Sequence, residues 1–417
     1  MIYQPKPIFD NLNYFDSSIQ LEEQSWYNNL QSTYWQTNFL QDYQQAKAFL
    51  KSYDGNHATF NSYRREIERL LHWCWTIAKK ELRKINRQDI ECFIDFCQQP
   101  SQHWIGLKQE PRFVNSEGFR KSNSNWRPFV VSLDKVSLKK GRTANVTQYL
   151  LSPKALQAIF SVLSSFFNYL LRENYTSVNP VAQIRQKSKY LRKNQTKTII
   201  RRLSELQWAY VIETVEIMAQ ENPTQHERTL FMMKALYGMY LRISELVATD
   251  RWLPVMGHFY QDHDSNWWFT TVGKGNKQRD ISVSHAMLEA LKRYRKSFNL
   301  PPLPPPGDHT ILIPKFRGMG AINSTRQIRK LVQHCFDRSI ERLRADGFQD
   351  DADQLMAATV HWLRHTGISE DVKIRPREHV RDDAGHSSSA ITDKYIDIEK
   401  QARAQSAKNK IINPNEQ

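Results

Sequence analysis

No run of about 18 consecutive apolar residues, the least a bilayer-crossing helix requires, occurs in the 417-residue chain. A membrane span is therefore not expected. The polar and aromatic stretch Met1 to Gln20 lacks the basic-then-apolar pattern of a secretory leader. Cysteine is scarce. Cys74, Cys92, Cys97 and Cys335 are the only four, and no two form a Cys-x-x-Cys pair. The close spacing of Cys92 and Cys97 within an apolar helical pattern suits buried thiols better than zinc ligands. Such sparse cysteine fits a reducing cytoplasm or nucleoid. No internal repeat is visible. One long stretch lacks acid altogether: no Asp or Glu lies between Glu173 and Glu205.

Positive charge is what the chain has in excess. Lys and Arg number 59 against 43 Asp and Glu, a formal charge of +16. The balance points to a polyanionic partner, with nucleic acid first and an anionic membrane surface as the rival. Hydrophobic residues make up 40%, enough for real cores, and the length accommodates two or three domains at roughly 100–200 residues each.

Residues 1–37 read as a loosely structured arm. Helical patterns then run from Phe39 to Tyr53 and from His57 to Lys80, the second with Ile67, Leu70, Leu71 and Trp75 at helical spacing. An Asn86 cap opens a third through Ile90, Phe93 and Ile94, and Ser152-Pro153 opens a fourth through Leu156, Ile159, Phe160, Leu163, Phe167 and Leu171. These predict a helical domain over 38–184. Residues 100–150 interrupt it: His103 to Val131 is rich in Trp, Pro, Asn, Arg and Lys, lacks periodicity and reads as an ordered loop insertion. Its aromatic and basic side chains serve either DNA contact or the anchoring of the loop.

The acid-free stretch holds Arg185, Lys187, Lys189, Arg192, Lys193, Lys197, Arg201 and Arg202. A charge run of this kind is a solvated segment or, between two domains that straddle a duplex, a phosphate-tracking linker over 185–202. The second domain starts near Leu203. Ser204 with Gln207 resembles a capping box, and a second helix is expected from Gln225 to Tyr240. Val255–Tyr260, Trp267–Val272 and Gln278–Val283 read as three short strands joined by turns at Asp262–Asn266 and Gly273–Asn276. A helix from His285 to Phe298, a Pro301–Pro306 spacer and mostly helical patterns over 324–400 follow.

Four short segments carry chemistry. Arg242 ends an apolar helical pattern with Glu245 three residues on, a pattern that also fits an ordinary helix-end ion pair. Gly273-Lys274-Gly275 sits in a basic turn that continues to Lys277 and Arg279; the spacing of a nucleotide-phosphate loop is missing there. His361-Trp362-Leu363-Arg364-His365 puts His361, Arg364 and His365 on one helical face. The two histidines have the spacing seen in zinc proteases, but Trp362 stands where the general-base Glu would be, and Arg364 opposes a cation. Gly385-His386-Ser387 precedes Tyr395 by nine residues counted from His386.

In this order and spacing the segments resemble the catalytic signature of the tyrosine recombinase (phage integrase) family. That signature is an Arg in L-R-x-S-E-L, a Lys in a strand-turn-strand G-K-G, an H-x-L-R-H-T box, a G-H-S box and a Tyr. The motifs cover about residues 203–400. The first half matches the family's core-binding domain in architecture and position only. The resemblance implies a mainly α fold with a small antiparallel β-sheet in the catalytic domain (α+β), in a two-domain architecture that clamps DNA. It also implies Tyr395 as the nucleophile forming a 3′-phosphotyrosine and Lys274 as the acid for the leaving 5′-oxygen. Arg242, Arg364, His361 and His386 would surround the phosphate, with His361 taking the phenol proton and Glu245 supporting. No metal and no cofactor are implied, since cations on side chains do that work. The basic linker residues, with Lys277 and Arg279, are expected on the DNA backbone. The partners implied are double-stranded DNA at a specific site, a homotetramer on two duplexes and accessory DNA-binding proteins; residues 396–417, ending in the 401–417 tail, either dock on a neighbour or form a frayed tail. No membrane is involved.

Two features depart from the family. Gly367 to Arg381 is charged and contains Pro376 where an apolar helix pair is usual, and Asp383-Ala384 precede Gly385 where apolar residues are usual. Type IB topoisomerases share the chemistry, and a DNA-binding protein on an inactive recombinase fold is the non-enzyme alternative. The chain exceeds the compact Xer-type resolvases in length, through its arm and insertion, which leans the reading toward the integrase or transposase of a mobile element.

Overall fold

The computed structural model describes residues 3–15, 39–116, 119–184, 201–273, 275–388, 392 and 407–408. It divides into two compact units, Met1–Lys197 and Thr198–Gln417.

The first unit is built on four helices: α1 (Phe39–Lys51), α2 (His57–Trp73), α3 (Arg87–Gln98) and, after the insertion, α5 (Pro153–Arg172). Their boundaries follow local chemistry. Asn86 accepts from Asp89 N while Asp89 reaches back to Asn86 N, a reciprocal cap, and Ser152 with Pro153 opens α5. Phe60, Ile67, Leu70, Phe93, Leu163 and Phe167 meet in the core. Cys97 is buried there, but Cys92 is exposed, contrary to expectation, because helical rotation turns it off the Ile90–Phe93–Ile94–Cys97 stripe.

The insertion is more structured than its missing periodicity implies. Strands β1 (Ile105–Gly106) and β4 (Phe129–Val130) pair in parallel, β2 (Phe113–Ser116) and β3 (Phe119–Ser122) form a hairpin, and α4 (Lys135–Lys139) is a single short helix. Trp104 and Phe129 are buried and join the helical core, so these two aromatics pin the loop down.

The N-terminal arm also differs from expectation over its described part. Ile8, Phe9 and Phe15 are buried in the core. The cause is polar as well as apolar: buried Glu68 on α2 accepts from Ile8 N and Phe9 N, and it pairs with Arg112 of the insertion. Arg120 grips Asp10 through Nε at 2.9 Å and Nη2 at 2.8 Å. Arm and insertion thus hold each other. The rest of the expected arm, 16–37, lies outside the described residues.

The second unit opens at Ser204, whose side chain and that of Gln207 form the capping box read from the sequence. Helices α6 (Glu205–Glu221) and α7 (Pro223–Gly238) pack together. The sheet is an antiparallel meander of β5 (Phe259–Gln261), β6 (Trp267–Val272) and β7 (Gln278–Ser282), with Phe269 opposite Phe259 and Ile281. The strand expected over Val255–Tyr260 is therefore shorter. Met256 N and Gly257 N bond instead to Thr310 O at 2.7 Å and Asp308 O at 2.9 Å, which turns residues 256–258 into a helical turn. Helices α8 (His285–Lys296), α9 (Thr325–Ala345), α10 (Gln349–Leu355), α11 (Val360–Asp371) and α12 (Arg377–Ala384) complete the unit. α11 packs on α7, and α12 lies against β7. Among the described residues no helix is long and apolar enough to cross a membrane.

Removing the Glu68 carboxylate strands two backbone donors and the Arg112 cation. Glu68→Ala is expected to cost about 3 kcal/mol in urea unfolding of the full chain and to open residues 3–15 to protease. Unchanged stability and protection would show that the carboxylate does not seat the arm.

Candidate active site

Arg242, the turn after β6, the His361–His365 face of α11 and His386 are far apart in sequence and meet at the C-terminal end of α12. That helix stops at Gly385, which has φ +63°. A Cβ there would lie 2.8 Å from Arg279 Cδ, so conformation and space both require glycine. The last carbonyls of a helix have no partner within it and carry the negative end of its dipole. Three arginines take them here. Arg364 Nη2 donates to Ala384 O at 2.6 Å, Arg242 Nη2 to Gly385 O at 3.0 Å and Arg279 Nε to Asp383 O at 3.0 Å.

Glu245 lies fully buried at the centre of this arrangement. Its Oε1 accepts from Arg242 Nη1 at 3.0 Å and Arg279 Nη1 at 2.7 Å; its Oε2 accepts from Arg242 N at 2.8 Å and Arg279 Nη2 at 2.9 Å. Burial alone would raise this carboxyl, but Arg279 and Arg242 outweigh it and hold it below the usual carboxylate range. The three-residue spacing of Arg242 and Glu245 matters because both belong to one tight turn at Ile243–Glu245.

Arg279, expected on DNA, is instead committed inside the protein. Its side chain is 11% exposed, and its fork is shared between Glu245 and Asp383 O. Strand alternation in β7 turns Arg279 inward toward α12 with Ile281 while Gln278 and Asp280 stay exposed, and Lys277, in the turn before the strand, is exposed. Lys274 lies outside the described residues. A Cβ on Gly273, just before it, would lie 3.2 Å from both Arg242 Nη1 and Glu245 Oε1, so this end of β6 abuts the cluster.

On α11, Arg364 is buried and its Nη1 donates to Tyr240 O. His361 opens to solvent, and its ring meets that of His365 edge-on at 4.7 Å. Thr366, last residue of the box, accepts from Leu203 N at 2.9 Å and donates to Trp362 O at 2.7 Å, tying the start of the unit to α11. His386 Nε2 faces Arg364 Nη2 at 3.3 Å and its Nδ1 faces Thr392 Oγ1 at 2.9 Å. A guanidinium only donates, so Nε2 accepts and Nδ1 carries the proton. In this state His386 steadies Arg364 and does not offer Nε2–H to a phosphate.

All three imidazoles favour the neutral form. Partial desolvation and the Arg364 and Arg242 charges lower His361. Desolvation, His361 and Arg364 lower His365 to about 4. Desolvation with Arg364, Arg242 and Arg279 lowers His386 to about 4. Exposed Arg201 contributes to the shifts of His361 and His365, which sets this one linker cation beside the site. Arg202 is half-buried. Arg185, Lys187, Lys189, Arg192, Lys193, Lys197 and Tyr395 lie outside the described residues. Among the described residues no cluster of three or more His, Cys, Asp or Glu is placed to hold a metal ion.

Asp383 is the residue that sequence reading undervalued. It accepts from Ser282 N at 3.1 Å and Ser282 Oγ at 2.6 Å, fastening α12 to β7. Its signal was present, as an acid where an apolar residue is usual.

No family model matches the chain. The chain is similar to the tyrosine recombinase XerC of Treponema denticola, at 24% identity over 266 residues, covering 61% of this chain and 76% of that protein. It is also similar to the tyrosine recombinase XerD of Rickettsia conorii, at 26% identity over 144 residues, 34% of this chain and 44% of that protein. Its fold is similar to that of the XerH site-specific recombinase bound to palindromic difH substrate in a post-cleavage complex. There the TM-score is 0.55 at 13% identity, with 94% of this chain and 90% of that one covered.

The depressed histidines set an acid limit on this unit. As pH falls from 6.5 toward about 4, the unfolded chain takes up protons that folded His365 and His386 refuse. Stability present above pH 6.5 is lost across that window. His365→Gln should flatten the fall in Tm between those values, and a slope identical to wild type would rule out His365 as a contributor.

Proposed function

We propose that the chain is a tyrosine recombinase, as its relatives are, and that it cuts and rejoins DNA at a specific site through a covalent bond to Tyr395. The observation that supports this best is the convergence of Arg242, Arg364 and His386 around the end of α12, braced by buried Glu245, with His361 on the helix of Arg364. A phosphodiester gains negative charge on its non-bridging oxygens as a nucleophile adds, so fixed donors aimed at them lower the barrier. Guanidinium suits the task because it stays charged and binds phosphate oxygens through two N–H groups. The Arg242 side chain is 26% exposed and reachable by a phosphate, while Arg364 lies deeper.

In the proposed step the Tyr395 phenol oxygen bonds to phosphorus as the bond to the 5′-oxygen breaks. A phenol of pKa about 10 needs a base at neutral pH. His361 fits that role: it is open to solvent and held neutral, so it can accept the proton. Lys274 would protonate the departing 5′-oxygen. Attack by another strand's 5′-hydroxyl reverses the step, frees the Tyr395 phenol and joins the new strand, and no external energy source is consumed, since each ester bond broken is replaced by another. His386 serves first by orienting Arg364, and a turn of its ring would be needed to donate to the phosphate.

DNA is the partner. A homotetramer on two duplexes, accessory DNA-binding proteins, a cytoplasmic nucleoid setting and use in integration, excision or transposition of a mobile element complete the proposal. The ordered insertion in the first unit supports the last of these as a departure from compact resolvases. Phosphate contacts are assigned to Arg201, Arg202, Lys277 and the linker cations, and Arg279 is withdrawn from that set.

The test uses a pool of nicked duplexes of randomised sequence. Wild-type protein should trap a subset as a denaturation-resistant adduct, and Tyr395→Phe should bind the same duplexes and trap none. An adduct formed by Tyr395→Phe would remove Tyr395 from its role. Arg364→Lys keeps the charge and loses the fork; adduct formation should fall on the order of 10²-fold, and an unchanged rate would dismiss Arg364 as a phosphate clamp.

A further inference from the structure

Tyr240, two residues before Arg242, has φ +49°. The position just past the end of α7 is one that glycine or asparagine usually fills, because a left-handed backbone crowds any larger side chain. Here a tyrosine fills it and is 1% exposed. Two sets of contacts hold it there. Its carbonyl accepts from Arg364 Nη1. Its phenol donates to Asp371 Oδ2 and accepts from Arg375 Nη1 at 3.0 Å.

Arg375 extends the connection. Its Nη2 donates to Ser282 Oγ at 2.9 Å and to Asp383 Oδ2 at 2.6 Å. Among the described residues, these contacts reach the segments that carry Arg242, Arg279, His361, Arg364 and His386. Tyr240 leads to Arg242, Asp371 ends the helix of His361 and Arg364, Asp383 precedes Gly385-His386, and Ser282 closes the strand of Arg279. Both Tyr240 and Arg375 contact Asp371, and the bonds named for their side chains go to other side chains and not to the last carbonyls of α12. The charged segment around Pro376, where an apolar helix pair would be expected, supplies Arg375.

We infer that Tyr240 and Arg375 are positioning residues for strand transfer: together they set the angle at which Arg242 and Arg364 face the scissile phosphate. The inference rests on the reading of those arginines as the phosphate clamp. The left-handed turn at Tyr240 directs the chain so that Arg242 returns toward α12 while the Tyr240 carbonyl points at Arg364. The phenol anchor keeps that turn in place. Arg375 then couples it to α12, whose last carbonyls receive both guanidiniums. Loosening the anchor shifts the two donors relative to each other, and misplacement of about 1 Å costs on the order of 10²-fold in rate.

The experiment uses the full chain and one nicked duplex selected from the randomised pool by wild-type capture. It compares Tyr240→Phe, Arg375→Met and Arg375→Lys with wild type by DNA Kd, single-turnover adduct rate and Tm. Tyr240→Phe should lose about tenfold in adduct rate and Arg375→Met on the order of 10²-fold, each with DNA Kd within twofold of wild type. Arg375→Lys, which keeps a cation between Tyr240 and Asp383, should recover part of the loss. An adduct rate within twofold of wild type in Tyr240→Phe overturns the inference, as does a rate that falls only in step with Kd or Tm. If Arg375→Met fails to fold, Tyr240→Phe, which deletes a single oxygen, decides the matter. Failure of wild type itself to form an adduct would instead bring down the strand-transfer reading, and this inference with it.

Discussion

A cluster of cations must first be kept together. Arg242, Arg279 and Arg364 converge on one helix end, and like charges brought together repel strongly in a partly desolvated setting. The fold answers with a buried carboxylate and a helix end. Glu245 takes two guanidiniums, and the carbonyls of Asp383, Ala384 and Gly385 take one bond from each arginine. Asp383 and Asp371 balance Arg375 one layer behind. Partial desolvation, with the same positive field behind it, makes His361, His365 and His386 favour neutrality. The donors are therefore oriented before any ligand arrives, which is the condition under which electrostatic stabilisation of a transition state is most effective.

The first unit uses a related device for a different end. Glu68 is buried on α2 and gathers the arm and the insertion through backbone donors and Arg112. A buried ion pair is weak evidence for net stability, but losing one partner is costly. The effect is to fix which segments pack on the helices. Trp104 and Phe129 then supply the apolar area.

Much of this was legible in the sequence wherever a local rule applied. Helix starts at Asn86, Ser152 and Ser204 follow from cap chemistry within four residues. β6 and β7 follow from alternation and a glycine-bearing turn. The motif residues of the second unit were found by type, order and spacing, and Arg242, Glu245, Arg364 and His386 do come together. The failures share a cause. Arg279 looked like a DNA contact because a basic turn normally faces solvent, and only the packing of β7 on α12 turns it inward. Residues 3–15 looked loose because their anchor, Glu68, lies far along the chain. Asp383 looked out of place because the Ser282 and Arg375 groups it serves are distant in sequence.

The sequence by itself determined the chemical inventory of this protein: which side chains can hold a phosphate, which elements they sit on, and that the fold is mainly helical with a small sheet. Those properties depend on residue type and short-range spacing, which the linear order carries in full. Tertiary structure alone decided which cations remain available and which are spent holding the others. That division depends on where a buried Glu245 and the open end of α12 fall in space. It also depends on a tyrosine held in a left-handed turn by contacts from Arg364, Asp371 and Arg375.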